Sequence, residues 1–172
     1  MLFFSFSCTE TSKNKNIVHA INAYNKNKQK LSSDKLKKAT TIVYYCGNGT
    51  VAPDYHYDCY ITVSKNNVNV TITQGYDGTV RYNKNHAISI SEYQKFLTNL
   101  LKQGISKKQS DSPMLLGSGT SSITAKIKKQ VIFEGDEYVD LTIAKGELQD
   151  SFLSLLPKHM KQVVQNPEGV LK

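Results

Sequence analysis

The chain has 172 residues, a formal net charge of +8, a hydrophobic content of 39% and a charged content of 21%. These values are typical of a globular protein, and they exclude a polytopic membrane protein, a collagen and a fully disordered chain. The length is sufficient for one domain with its own hydrophobic core, so folding needs neither a metal nor a disulfide.

The first residues are apolar up to a single cysteine and polar directly after it. Leucine and phenylalanine dominate residues 1–7, Cys8 follows Ser7, and residues 9–13 are polar. This segment resembles the end of a bacterial lipoprotein signal peptide, in which a small residue precedes a cysteine that is lipidated. The resemblance implies that residues 1–8 are a signal-peptide remnant, that Cys8 carries a lipid anchor, and that the protein lies in the cell envelope, in the periplasm or at the outer membrane. The alternative is an ordinary N-terminus.

Residues 9–38 form a segment rich in lysine and asparagine. Eight lysines and one acid between Lys13 and Lys38 give a charge of +7, whereas residues 39–172 carry fourteen basic and twelve acidic side chains. We therefore predict a solvated tether over residues 9–38. A nucleic-acid-binding arm usually relies on arginine, and the chain has one arginine, Arg81, so we predict no nucleic-acid partner.

Alternation of apolar and polar residues predicts four strands in the next part of the chain. The first covers Thr41–Cys46, and the second covers residues 55–63, whose odd-numbered positions are apolar. Residues 65–67 predict a turn into a third strand with apolar positions 68, 70 and 72. Asp77-Gly78 predicts a tight turn into a short fourth strand.

Cys46 and Cys59 lie on the apolar faces of the first and second predicted strands. If Cys8 carries a lipid, these two cysteines remain as an even pair in a compartment where disulfides persist. We therefore predict a Cys46–Cys59 disulfide, which would stabilise the fold by about 3 kcal/mol in the chain-entropy model. The alternative is a pair of buried free thiols.

The second half of the chain begins with a helical period. Residues 89–92 have the spacing of a capping box, and Ile88 and Tyr93 are placed as a hydrophobic staple. The apolar stripe of this helix is predicted from Tyr93, Leu97, Leu100 and Leu101, with Phe96 at its edge. Residues 123–127 and 139–143 alternate as two more strands, with a turn predicted at Glu134–Asp136. A last helical stripe is predicted from Leu148, Phe152, Leu155 and Leu156, ending at Pro157.

Short connections between strands imply antiparallel pairing. The sequence therefore predicts a single α+β domain over residues 39–172, with an antiparallel sheet built from hairpins, two amphipathic helices and the element order β-β-β-β-α-β-β-α.

Asp54, His56 and Asp58 alternate along the second predicted strand, so their side chains would share one exposed face. Two carboxylates and an imidazole are suited to holding a divalent metal or a general base. However, side chains two positions apart on a strand lie about 7 Å apart, so one strand rarely closes a metal site, and a solvated strand face is the preferred interpretation of the pattern. We predict no catalytic residue, metal site or cofactor; a metal-assisted or acid/base hydrolase using these three residues is the enzymatic alternative.

Seven of the ten tyrosines lie between Tyr44 and Tyr82. Tyrosine is enriched in recognition surfaces, although it is also common in strands. We predict a non-enzymatic cell-envelope lipoprotein that binds another protein, as an immunity or inhibitor protein that neutralises a secreted toxin or hydrolase. A surface-assembly or structural lipoprotein is a further alternative. The predicted binding residues are Tyr45, Tyr55, His56, Tyr57 and Tyr60.

Overall fold

The computed structural model describes residues 33–103, 105, 120–136 and 146–171. Six antiparallel strands form one sheet: β1 Thr41–Gly47, β2 Tyr57–Ser64, β3 Asn67–Gln74, β4 Thr79–Ala87, β5 Thr120–Ile127 and β6 Gln130–Asp136. Their order across the sheet is β4-β3-β2-β1-β5-β6. The helices are α1 Ser33–Lys38, α2 Ile90–Lys102, α3 Glu147–Leu153 and α4 Lys158–Gln165, with 3₁₀ turns at Pro53–Tyr55 and Pro167–Val170. The predicted α+β class with an antiparallel sheet is confirmed.

One face of the sheet is covered by helices. Strand positions such as Ile42, Tyr44 and Ile61 are fully or almost fully buried there, together with helix residues such as Phe96 and Phe152. The ring of Phe152 lies 5.3 Å from Tyr44 and 5.0 Å from Phe96. On the opposite face, the side chains of the described strands are half-buried or exposed. The alternation of apolar and polar residues in the sequence thus corresponds to a sheet with one packed and one open face.

The start of α2 confirms the predicted capping box. The hydroxyl of Ser89 accepts a hydrogen bond from the backbone N–H of Glu92, and the carboxylate of Glu92 accepts one from the backbone N–H of Ser89. The buried residues of this helix are Tyr93, Phe96 and Leu100. Phe96 is therefore at the centre of the stripe rather than at its edge, and Leu97 and Leu101 flank it.

The hairpin of β5 and β6 differs from its prediction. Its turn lies at Lys128-Lys129, and residues Glu134–Asp136, predicted as a turn, belong to β6. Lys128 adopts a φ of 54°, the left-handed conformation that a two-residue hairpin turn requires. Lysine is uncommon in that conformation, so no local pattern predicted a turn there. The strand predicted over residues 139–143 lies outside the described residues.

The structure contains two helices that were not predicted, α1 and α4. α1 occupies the last six positions of the predicted tether, and its Leu36 is fully buried in the core. Residues 1–8 and the tether up to residue 32 lie outside the described residues. Pro157, predicted to end the last helix, instead precedes α4, where its carbonyl accepts hydrogen bonds from the backbone N–H groups of Met160 and Lys161. Within the described part of the chain, no helix combines the length and apolarity of a membrane span.

Candidate functional site

Two turns pack against each other at one end of the sheet. The 3₁₀ turn Pro53–Tyr55 enters β2, and residues 75–78 connect β3 to β4. The backbone N–H of Gly75 donates to the carbonyl of His56 (3.0 Å), and the hydroxyl of Tyr76 donates to the carbonyl of Val51 (2.6 Å). These cross-links fix the position of both turns relative to the sheet.

Five large hydrophobic side chains are exposed among the described residues, and three of them lie at this end. Tyr55 is 73% exposed, Tyr76 is 60% exposed and Val80 is 57% exposed. Arg81 follows Val80 on β4, and its Nε donates to the side-chain oxygen of Gln74 (2.7 Å). We refer to Tyr55, His56, Tyr76, Val80 and Arg81 as the aromatic end of the sheet.

A cleft of about 370 Å³ opens within the aromatic end. Tyr76 and Arg81 line it together with the acidic residues Asp54 and Asp77. The cleft therefore offers an aromatic surface, one cation and two anions within a small volume.

His56 packs beneath the ring of Tyr76, on its buried side. Its side chain is buried, and its ring stacks on that of Tyr76 with 4.2 Å between centroids and an angle of 18°. Nδ1 lies 3.1 Å from the carbonyl oxygen of Gly49, and Nε2 lies 3.6 Å from a carboxylate oxygen of Asp58. Because a carbonyl only accepts, Nδ1 carries a proton in this arrangement. Both ring nitrogens therefore face acceptors within the fold.

Asp58 links His56 to the open face of the sheet. The hydroxyl of Tyr45 donates to a carboxylate oxygen of Asp58 (2.7 Å), and the rings of Tyr45 and Tyr60 lie 5.3 Å apart. Burial raises the pKa of Tyr45 to about 12, and the hydrogen bond to Asp58 is the second contribution to this increase. A side chain at Gly47 would place a Cβ only 2.6 Å from the Tyr45 oxygen. Glycine at this position thus leaves room for the Tyr45–Asp58 contact.

The structure brings some of the predicted binding residues together and separates others. Tyr55 belongs to the aromatic end, while Tyr45 and Tyr60 pair on the open face. His56 was predicted to be exposed, but the ring of Tyr76 covers it. Tyr57 lies half-buried on the helix-covered face, where it packs against the core and where burial raises the pKa of its hydroxyl. Its orientation follows from its odd position in β2, which places it on the same face as Cys59.

The predicted alternation of Asp54, His56 and Asp58 on one strand face is wrong for Asp54 and His56. The strand begins at Tyr57, so Asp54 lies in the 3₁₀ turn and His56 directly follows that turn. The pattern failed because Pro53 begins a turn and interrupts the period. Among the described residues, no three side chains of histidine, cysteine, aspartate or glutamate are grouped as metal ligands.

Sequence reasoning missed Tyr76, Val80 and Arg81. A signal for Tyr76 was present, because it stands in the short segment Gly75-Tyr76-Asp77-Gly78. Both glycines adopt positive φ values, 71° and 72°, as tight turns require. An aromatic residue at a turn tip has no core to enter, so this segment could have indicated that Tyr76 is exposed.

Cys46 and Cys59 occupy directly paired positions on β1 and β2. Both are thiols, with Cys46 half-buried and Cys59 buried. A hydrogen bond between them, together with burial, raises the pKa of the Cys59 thiol. Paired residues of antiparallel strands have Cα atoms about 4.5 to 5.5 Å apart, within the range that a disulfide requires. The disulfide itself stays a prediction.

Comparison with known proteins gives no family assignment. No family model matches the chain, and no curated protein sequence matches it significantly.

Proposed function

We propose that this protein is a non-enzymatic protein-binding module and that the aromatic end of the sheet is its binding surface. The observation that carries the proposal is that Tyr55, Tyr76 and Val80, each more than half exposed, all lie at one end of the sheet. Single exposed apolar residues are ordinary on a protein surface, whereas a cluster of them is typical of an interaction site.

The chemistry of the cluster suits a protein partner. Tyrosine and arginine are the residue types that contribute most often to binding hot spots. The ring of Tyr76 is held by its stacking on His56 and by its hydrogen bond to Val51. A side chain that is ordered before binding loses less conformational entropy on association. Tyr76 is therefore the residue that we expect to contribute most to affinity.

The geometry of His56 favours binding over catalysis. A general base needs a ring nitrogen within reach of the proton that it removes from the substrate. Here one nitrogen lies against the Gly49 carbonyl, the other against Asp58, and Tyr76 covers the ring. These contacts suit a residue that positions Tyr76. A hydrolase that uses His56 would have to free one of its ring nitrogens from these contacts.

We further propose that the module is a lipid-anchored cell-envelope protein that acts as an immunity or inhibitor protein against a secreted toxin or hydrolase. The Ser7-Cys8 segment and the pairing of Cys46 with Cys59 across β1 and β2 support the envelope location, and the exposed side chains of the aromatic end support the binding role. Mass spectrometry of the mature protein from native cells tests the anchor. An acylated Cys8 at the N-terminus is expected, and an intact Met1 would contradict it.

The binding surface is tested by affinity capture from envelope extracts with three forms of the full chain. These are the wild type, the double variant Tyr55→Ala/Tyr76→Ala and the control Val131→Ala. Val131 is 47% exposed on β6, at the opposite edge of the sheet, so it matches the exposure but not the position. We expect a protein that the wild type and control retain and the double variant loses. Failure to find any protein with this dependence would overturn the proposal.

A further inference from the structure

A groove of about 880 Å³ runs between α1, α2 and the turn that joins β2 to β3, on the helix-covered side of the sheet. Its apolar wall is the flank of α2, formed by Ile90, Leu97 and Leu101. Ile90 is 56% exposed, and Leu97 and Leu101 are half-buried at the margin of the core. The flank is thus an apolar stripe that the described fold leaves partly open to solvent.

The charged residues that line this groove, among those the structure describes, are all lysines. Lys37 and Lys38 of α1 and Lys65 of the β2–β3 turn line it, and its lining contains no aspartate or glutamate. A groove that combines an apolar wall with a cationic rim complements a molecule that has an apolar body and an anionic group. We call it the lysine-rimmed groove.

The dimensions favour a small occupant. The volume of the groove, about 880 Å³, lies in the range of small-molecule clefts.

We propose that the lysine-rimmed groove binds a single-chain anionic amphiphile, of the fatty-acid carboxylate class. Its alkyl chain would lie along Ile90, Leu97 and Leu101. Its carboxylate would meet the lysine side chains, whose charged ends stay in water while their methylene stems extend the apolar wall. The groove is separate from the aromatic end, so a negative result for amphiphile binding and a negative result for the proposed protein-binding function can be told apart.

The test is a calorimetric titration of the full chain with octanoate, decanoate and dodecanoate, each below its micellar concentration. Burial of each added methylene is expected to raise affinity by up to about fourfold, the equivalent of 0.8 kcal/mol. An alkyltrimethylammonium ion of equal chain length should bind at least about tenfold more weakly. Equal binding of both charges, or no dependence on chain length, would overturn the proposal.

Variants localise the site. Lys38→Gln/Lys65→Gln should weaken dodecanoate binding by about tenfold, as two lost exposed ion pairs predict, whereas the control Lys84→Gln on β4 should leave it unchanged. Ile90→Ser should also weaken binding, and its exposed position keeps the fold intact; Leu97→Ser is a second variant. Unchanged binding in all of these variants would contradict the assignment.

Nuclear magnetic resonance of the methyl groups of Ile90 and Leu97 identifies any other occupant. Perturbation of these signals by dodecanoate is expected. Contacts from these methyl groups to another segment of the chain or to a second copy would overturn the proposal. If an acidic amphipathic peptide perturbs these signals and the carboxylates do not, the proposal would be overturned in favour of a protein partner.

Discussion

Oxidation of Cys46 and Cys59 to a disulfide should stabilise the folded protein substantially. The two residues are directly paired on β1 and β2, so a bridge needs little backbone movement. It would close a loop of 14 residues, counted from Cys46 to Cys59. In the chain-entropy model the bridge lowers the entropy of the unfolded chain, which raises the free energy of unfolding by about 3 kcal/mol at 25 °C. With a urea dependence of about 2 kcal/mol per molar, the unfolding midpoint should rise by roughly 1.5 M.

The assay compares urea unfolding of the full chain after treatment with oxidised glutathione and after reduction. Cys46→Ser, treated identically, is the matched control, because it removes one partner at the half-buried position and leaves buried Cys59 in place. Because Cys46 is half-buried and Cys59 is buried, Cys46 is expected to react first with the oxidant. Mass spectrometry should show the loss of two hydrogen atoms in the wild type. A bridged protein whose midpoint equals that of the reduced form would refute the reasoning.

Three further predictions address the fold. Burial and the hydrogen bond to Asp58 raise the pKa of Tyr45 to about 12, so the folded state favours the neutral hydroxyl. The stabilisation by this hydroxyl is complete below about pH 10, the pKa in the unfolded chain, and is lost as the pH rises towards 12. The decline in unfolding free energy between these pH values should be smaller in Tyr45→Phe. Ser89→Ala removes the N-cap of α2 and should cost about 1 kcal/mol in urea unfolding, whereas exposed Ser91→Ala should cost much less. Phe96 is 1% exposed, so Phe96→Ala should cost about 3–5 kcal/mol and lower the thermal midpoint by roughly 10 °C or more; a change below 1 °C would contradict its place in the core.

Local signals were sufficient where the pattern of the sequence and the fold agree. The alternation in β2 and β3 identified the buried face because side chains alternate between the two faces of a strand. The capping box at Ser89 is a contact within one turn of helix, so four consecutive residues specify it. The same alternation placed Cys46 and Cys59 on the apolar faces of their strands, whereas their direct pairing depends on the register of β1 on β2.

The remainder depends on contacts between residues distant in sequence. The burial of His56 comes from Tyr76, which is twenty positions away in another turn, and no local pattern encodes that stacking. The hydrogen bond between Tyr45 and Asp58 requires the register of β1 on β2 and the absence of a side chain at Gly47. Leu36 looked like part of a solvated segment because lysines surround it. Its burial is decided by a core that the segment itself does not contain.

The most direct test of the binding surface uses the protein identified by capture, purified and titrated against variants of the full chain. If the aromatic end is the binding surface, Tyr76→Ala should weaken the complex by about thirtyfold, the effect of a hot-spot residue worth 2 kcal/mol. Tyr76→Phe keeps the ring that stacks on His56 and should have a smaller effect, and Val131→Ala should have none. Equal affinity of the wild type and Tyr76→Ala for that protein would contradict the account.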